Sequence, residues 1–140
     1  SFYKHGGITV TGGEPLMQMD FLIDLFTLAK AKDIHTCIDS SGIAFNPDSA
    51  QFMEKLDHLM TLTDLVMLDI KHIDPEKHKE LTAQPNNRIL EFAAYLNEKK
   101  VDMWIRHVVV PGITDDDKYL EELGYFIGQF TNLKALDVLP

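Results

Sequence analysis

At 140 residues, with 45% hydrophobic and 25% charged content, the chain has the size and composition of a single soluble globular domain, residues 1–140, able to bury a core. Its 22 acidic and 13 basic residues give a formal charge of -9, and the Lys and Arg side chains are scattered, which argues against a nucleic-acid or anionic-membrane surface. The one cysteine, Cys37, excludes an internal disulfide, and no apolar run approaches the roughly 20 residues of a membrane span, so a reducing, cytoplasmic setting with no membrane partner is expected.

Residues 1–7 have neither the charged region nor the apolar stretch of a signal or transit peptide, and they read like the middle of a longer protein. The first strand-like run is Ile8–Thr11, followed by Gly12-Gly13-Glu14-Pro15. A glycine pair is unfavourable to order, and bare backbone before a helix start suits a carboxylate, a phosphate or an amino-acid main chain. The pair lacks the spacing of a P-loop or a dinucleotide fingerprint, and taken alone it is a turn more often than a site. Phe21, Leu22, Leu25, Phe26 and Ala29 then form an apolar stripe at helical spacing, expected to be core.

The second strand, Thr36–Ser40, ends in Asp39-Ser40-Ser41, and Asn46 with Pro47 is expected to cap a helix striped by Phe52, Leu56, Leu59 and Met60. The third strand, Leu65–Ile70, carries Asp69 with Lys71 just beyond. Asp39 and Asp69 are carboxylates on apolar strands, where a charge must be paired or bound to a cation. Lys71, two residues from Asp69 and on the same face, is one candidate partner. Asp74 and Pro75 mark another helix start, and Ile89, Phe92, Ala93 and Leu96 form the next stripe. The fourth strand, Met103–Val110, contains Arg106 and His107, of which at most one faces a given side. Thr114 and Asp117 resemble a capping box before the stripe Leu120, Leu123, Ile127 and Phe130, so Asp115-Asp116-Asp117 reads as a helix start rather than a metal site. The last strand, Leu133–Leu139, lacks the helix that follows every earlier one, which again suggests a fragment.

Strands buried on both faces and alternating with helices imply an α/β fold with parallel strands and right-handed crossovers, either a doubly wound sheet or part of a (βα) barrel. Most polar interruptions fall near the C-terminal ends of strands, the edge where such folds bind ligands. The six histidines include no i, i+4 helical pair and none beside a second cysteine, and Cys37 in mid-strand reads as an inert buried thiol.

The segments TVTGGEPLMQ, IHTCIDSSG, TDLVMLDIKHIDPEKHKELT, RILEFAAYL and MWIRHVVVPGITDDD, in that order and spacing, resemble the radical S-adenosylmethionine (radical SAM) activases of glycyl radical enzymes, in particular the pyruvate formate-lyase activating family. The resemblance covers essentially the whole chain. It implies a partial (βα) barrel in which a [4Fe-4S] cluster reduces S-adenosylmethionine, and the resulting 5′-deoxyadenosyl radical takes a hydrogen atom from a backbone glycine of pyruvate formate-lyase. Flavodoxin or ferredoxin would be the electron donor. By motif matching, Gly12 and Gly13 approach the methionine amino group, Asp39 lies against the methionine moiety, and Lys71 neutralises its carboxylate. Arg106 matches an arginine facing the barrel interior and counts among the cofactor-binding positions. Asp39, Ser40, the Met67 carbonyl and Asp69 match the ligands of a monovalent cation. No catalytic residue is assigned.

The family holds its cluster with three cysteines spaced C-x-x-x-C-x-x-C near the N-terminus, and Cys37 is not part of such a motif. The expected C-terminal portion is also absent, so the chain is expected to be an inactive fragment, truncated at both ends and unable to bind the cluster in the family's way. Two readings from other classes stay open: a Schiff-base lyase or aldolase using Lys71, and a non-catalytic α/β module that binds a protein through open sheet edges.

Overall fold

The structure, a computed structural model, describes residues 6–12, 14–69, 87–108 and 117–139. Five strands, β1 (Gly7–Val10), β2 (His35–Ser40), β3 (Leu65–Asp69), β4 (Asp102–Val108) and β5 (Leu133–Leu139), form one sheet in the order β1-β2-β3-β4-β5. Every pairing is parallel. The described helices are a short 3-10 turn (Pro15–Gln18), α1 (Met19–Ala31), α2 (Ala50–Thr61), α3 (Asn87–Glu98) and α4 (Asp117–Ile127).

Sequential strand order decides between the two architectures left open above. Right-handed crossovers that always step in one direction put every helix on the same face, whereas a doubly wound sheet reverses direction and covers both. The core follows the first pattern: Ile38, Val66, Leu68, Met103 and Ile105 pack with Met19, Leu22 and Phe26 of α1, Leu56 and Leu59 of α2, and Phe92 and Leu96 of α3. Phe126 and Phe130, in and just after α4, join from the margin. Alternate residues, including Thr9, Asp39, Met67, Asp69, Trp104 and Arg106, therefore project from the opposite face. Burial is deepest under the helices, while on the opposite face Cys37 is also buried and Asp39 and Arg106 are partly buried, an arrangement of the parallel α/β sheet consistent with a partial barrel.

Two local expectations change. Asn46 does not cap α2: Ser49 Oγ accepts from the Phe52 N–H at 3.1 Å and is the N-cap. Pro47 sits instead inside a turn closed by Ser49 N–H to Asn46 O at 3.2 Å, where its fixed φ suits the second position. Phe21, read as core, is 59% exposed because α1 turns Leu22 and Phe26 inward on the neighbouring stripe. The expected helix start at Asp74-Pro75 and the capping residue Thr114 lie outside the described residues.

Candidate functional site

Three loops and strand ends converge at the C-terminal edge of the sheet. The first is the loop after β1. Gly12 adopts φ +87, the left-handed region that favours glycine, and a side chain there would meet nothing within 4 Å. The backbone is therefore open to an approaching group. Glu14, two residues on, occupies the N-cap position of the 3-10 turn without capping it through its side chain. Its carboxylate instead reaches the end of β2, where Ser40 Oγ donates to Glu14 Oε1 at 2.6 Å and lies 3.0 Å from Oε2. Ser40 is 2% exposed, and its Oγ in turn accepts from the Gly42 N–H at 2.9 Å. Burial pushes the Glu14 carboxyl above its ordinary value, with the Ser40 hydrogen bond opposing. This chain of bonds fixes the glycine loop relative to the Asp39-Ser40-Ser41-Gly42 turn.

The second and third groups meet on the face opposite the helices. Arg106 Nη2 donates to Asp39 Oδ1 at 2.6 Å, with side-chain exposures of 30% and 19%. Thr11 Oγ1 makes a longer contact, 3.4 Å, to Asp39 Oδ2. The pairing crosses a strand: Asp39 is in register with Met67, and Asp69 is in register with Arg106. The guanidinium thus starts on β4 beside Asp69 and passes over β3 to reach β2. A charge-assisted bond of this length in a partly buried setting offsets part of the desolvation of both ions.

Cys37 lies on the same face as Asp39, one pleat toward the start of β2, and is 3% exposed. Burial raises the thiol's pKa, opposed by a hydrogen bond with Thr9, and the Asp39 charge adds to the rise. A protonated, enclosed thiol is a poor nucleophile and metal ligand, in agreement with the inert role expected. Among the described residues, no group of three or more His, Cys, Asp or Glu could hold a metal ion.

Of the sequence-derived site residues, the structure brings Gly12, Asp39, Met67, Asp69 and Arg106 to one edge of the sheet. Ser40 is at the same edge, but its hydroxyl lies on the helix side and is engaged by Glu14 and Gly42. Gly13 and Lys71 lie outside the described residues. Two relations were not read from the sequence. Arg106 is the partner of Asp39, for which the sequence spacing, pairing Lys71 with Asp69, named no side chain. Glu14 finds its partner in Ser40, 26 residues away. Both cross between elements, so the missing information was the strand register.

The family model for the Radical SAM superfamily matches residues 2–123. The chain is 55% identical over 135 residues to the pyruvate formate-lyase-activating enzyme of Listeria monocytogenes, covering 96% of this chain and 54% of that protein. It thus spans about half the length of the curated relatives it matches, as 54% coverage shows. Among solved structures, a domain of the pyruvate-formate lyase-activating enzyme from Bacteroides vulgatus superposes with TM-score 0.82 at 26% identity, covering 96% of this chain and 80% of that one. Streptococcus suis SuiB bound to S-adenosylmethionine shares the fold, with TM-score 0.70 at 19% identity over 94% of this chain and 29% of that one. On the strength of the family match across most of its length, the chain belongs to the radical SAM superfamily.

Proposed function

We propose that this chain is the S-adenosylmethionine-binding part, one domain over residues 1–140, of an activase that installs a glycyl radical on pyruvate formate-lyase, with flavodoxin or ferredoxin as electron donor. The observation that carries the reading is 55% identity to an enzyme named for that activity over 96% of the chain. The superfamily implies S-adenosylmethionine and a [4Fe-4S] cluster, and the two fit this chain differently. With Cys37 as its one cysteine, buried in β2, the residues of this chain do not fit the cluster. The methionine end of S-adenosylmethionine does fit: the backbone at Gly12 is bare, and the Asp39 carboxylate lies at the same edge with Thr11 and Arg106 around it.

When bound, S-adenosylmethionine supplies the radical chemistry, and the chain's own residues bind and orient it. Gly12, with Gly13, accepts the close approach of the amino group that a β-carbon would otherwise crowd. Asp39 balances the ammonium charge, and Arg106 fixes the carboxylate's position by a bond to one oxygen. Lys71 balances the methionine carboxylate and supplies local positive charge in a protein of net charge -9. Glu14 ties the glycine loop to the turn after β2, so the two halves of the site are held at one separation.

The test is anaerobic reconstitution of the full-length protein, incubated with pyruvate formate-lyase, S-adenosylmethionine and reduced flavodoxin, and read by electron paramagnetic resonance. A glycyl radical doublet is expected. Its absence while a control activase produces the doublet would reject the assignment, as would a complete reading frame without a C-x-x-x-C-x-x-C motif.

A further inference from the structure

The candidate site occupies the C-terminal end of the face opposite the helices, and the other end of that face holds a separate cavity of about 580 Å³. His35, Leu65 and Asp102, the first residues of β2, β3 and β4, line it together with Trp104 and Ala135. Register fixes the level at which the cavity stops. Asp39, Met67, Trp104 and Ala135 form one row across β2, β3, β4 and β5. Trp104 and Ala135 line the cavity, whereas Asp39, Met67 and Arg106 do not. Trp104 therefore stands where the cavity ends and the site begins. It shares a row with Asp39 and lies about 7 Å along β4 from Arg106, whose guanidinium crosses β3 to reach Asp39.

The chemistry of the indole separates packing from function. Its Nε1 is enclosed and has no hydrogen-bond acceptor among the described residues. An unpaired buried donor costs stability, and a phenylalanine would fill the same strand position with an aromatic ring and no such cost. What tryptophan adds over phenylalanine here is size. Its register neighbour on β5 is Ala135, too small to take the ring's place were the ring shortened.

Resting on the activase reading above, we propose that Trp104 is a specificity-determining residue. Its indole is the floor of the candidate site, closing it from the N-terminal cavity and limiting the size of the residues that can enter beside the substrate glycine. With the indole shortened, site and cavity become one space, and a bulky neighbour of the glycine gains room at the level of Asp39. The methionine end of the cofactor, placed at Gly12 and Asp39 near the β1 edge, keeps its partners.

The experiment compares full-length reconstituted wild type with Trp104→Phe and Trp104→Ala. The substrates are two short peptides, each with one glycine, flanked by alanine in one and by phenylalanine in the other. The readouts are kcat/KM for each peptide, S-adenosylmethionine affinity by calorimetry and the unfolding midpoint by circular dichroism. Wild type is expected to prefer the alanine-flanked peptide. Because a misfit of one methylene in an enclosed pocket is worth about 10–200-fold, Trp104→Ala is expected to reduce that preference at least about tenfold, with Trp104→Phe between the two. Cofactor affinity is expected to stay within about twofold of wild type.

The same preference in all three proteins, with wild type still forming a glycyl radical on pyruvate formate-lyase, would overturn the floor and leave the activase reading standing. A preference lost together with cofactor affinity would also overturn it, since Trp104 would then support the cofactor site as a whole. No radical on either peptide or on pyruvate formate-lyase in wild type would overturn the activase reading and the floor with it. Should Trp104→Ala fail to fold, Trp104→Phe decides the matter: a preference reduced about threefold is expected, and an unchanged one would overturn the proposal.

Discussion

Replacing Glu14 tests the physical account of the loop in two ways. In the Glu14→Ala variant the buried Ser40 hydroxyl loses the acceptor it reaches at 2.6 Å, and the glycine loop loses its tie to β2. Hydrogen bonds to a charged group contribute about 1.5–3 kcal/mol, and relief of the carboxylate's desolvation offsets part of that, leaving an expected loss of about 2 kcal/mol. For a chain of this length that is a fall in Tm of roughly 5–8 °C. Glu14→Gln keeps an acceptor oxygen and removes the buried charge, so its loss at neutral pH is expected below about 1 kcal/mol. The pH dependence then carries a definite sign. Burial raises the folded pKa of Glu14 above its ordinary value of 4.5, so between those two values the native state binds more protons than the unfolded one. This contribution is present in full below the unfolded pKa and is lost as pH rises through the folded one. Wild type should therefore gain stability relative to Glu14→Gln as pH is lowered from 7 toward 4.5. The assay is urea unfolding of both proteins across that range. A difference that stays flat, or moves in favour of Glu14→Gln as pH falls, would refute the buried-carboxylate account.

Other substitutions probe the scaffold and the site. Gly42→Ala places a β-carbon 3.1 Å from Phe92 Cδ2 and 3.3 Å from Ile89 Cα at φ +74, and is expected to lose about 2–4 kcal/mol in urea unfolding. Phe92→Ala empties a fully buried position beside Phe45 and Tyr95, with an expected loss of about 3–5 kcal/mol by the same measurement. Ser49→Ala removes the N-cap of α2, and thermal unfolding should show a loss of about 1 kcal/mol.

The periodic features were legible in the sequence because they repeat. Five apolar runs gave five strands in chain order, and the stripes Leu22-Phe26-Ala29 and Phe92-Ala93-Leu96 became core. The placement of Asp39, Asp69 and Arg106 near strand ends was legible for the same reason, since a polar residue interrupting an apolar run is visible without any structure. What could not be read depended on relations between elements. The Arg106–Asp39 bond spans 67 residues and an intervening strand, and only the β2-β3-β4 register brings the two within reach. Ser49 displaced Asn46 as the cap because a single Pro fits either a helix start or a turn, and the backbone bond from Ser49 to Asn46 selected the turn. Phe21 is apolar at helical spacing yet faces outward, since the width of the buried stripe is set by what packs against the helix and not by the helix itself.

The most direct test of the site is an anaerobic calorimetric titration of S-adenosylmethionine into the reconstituted full-length protein. Wild type is to be compared with Asp39→Ala and Lys71→Ala, with the unfolding midpoint of each variant measured alongside. If these residues hold the methionine end of the cofactor, each substitution weakens binding by about tenfold or more, a larger free-energy change than its effect on stability. Affinity unchanged from wild type in either variant would contradict the role assigned to that residue.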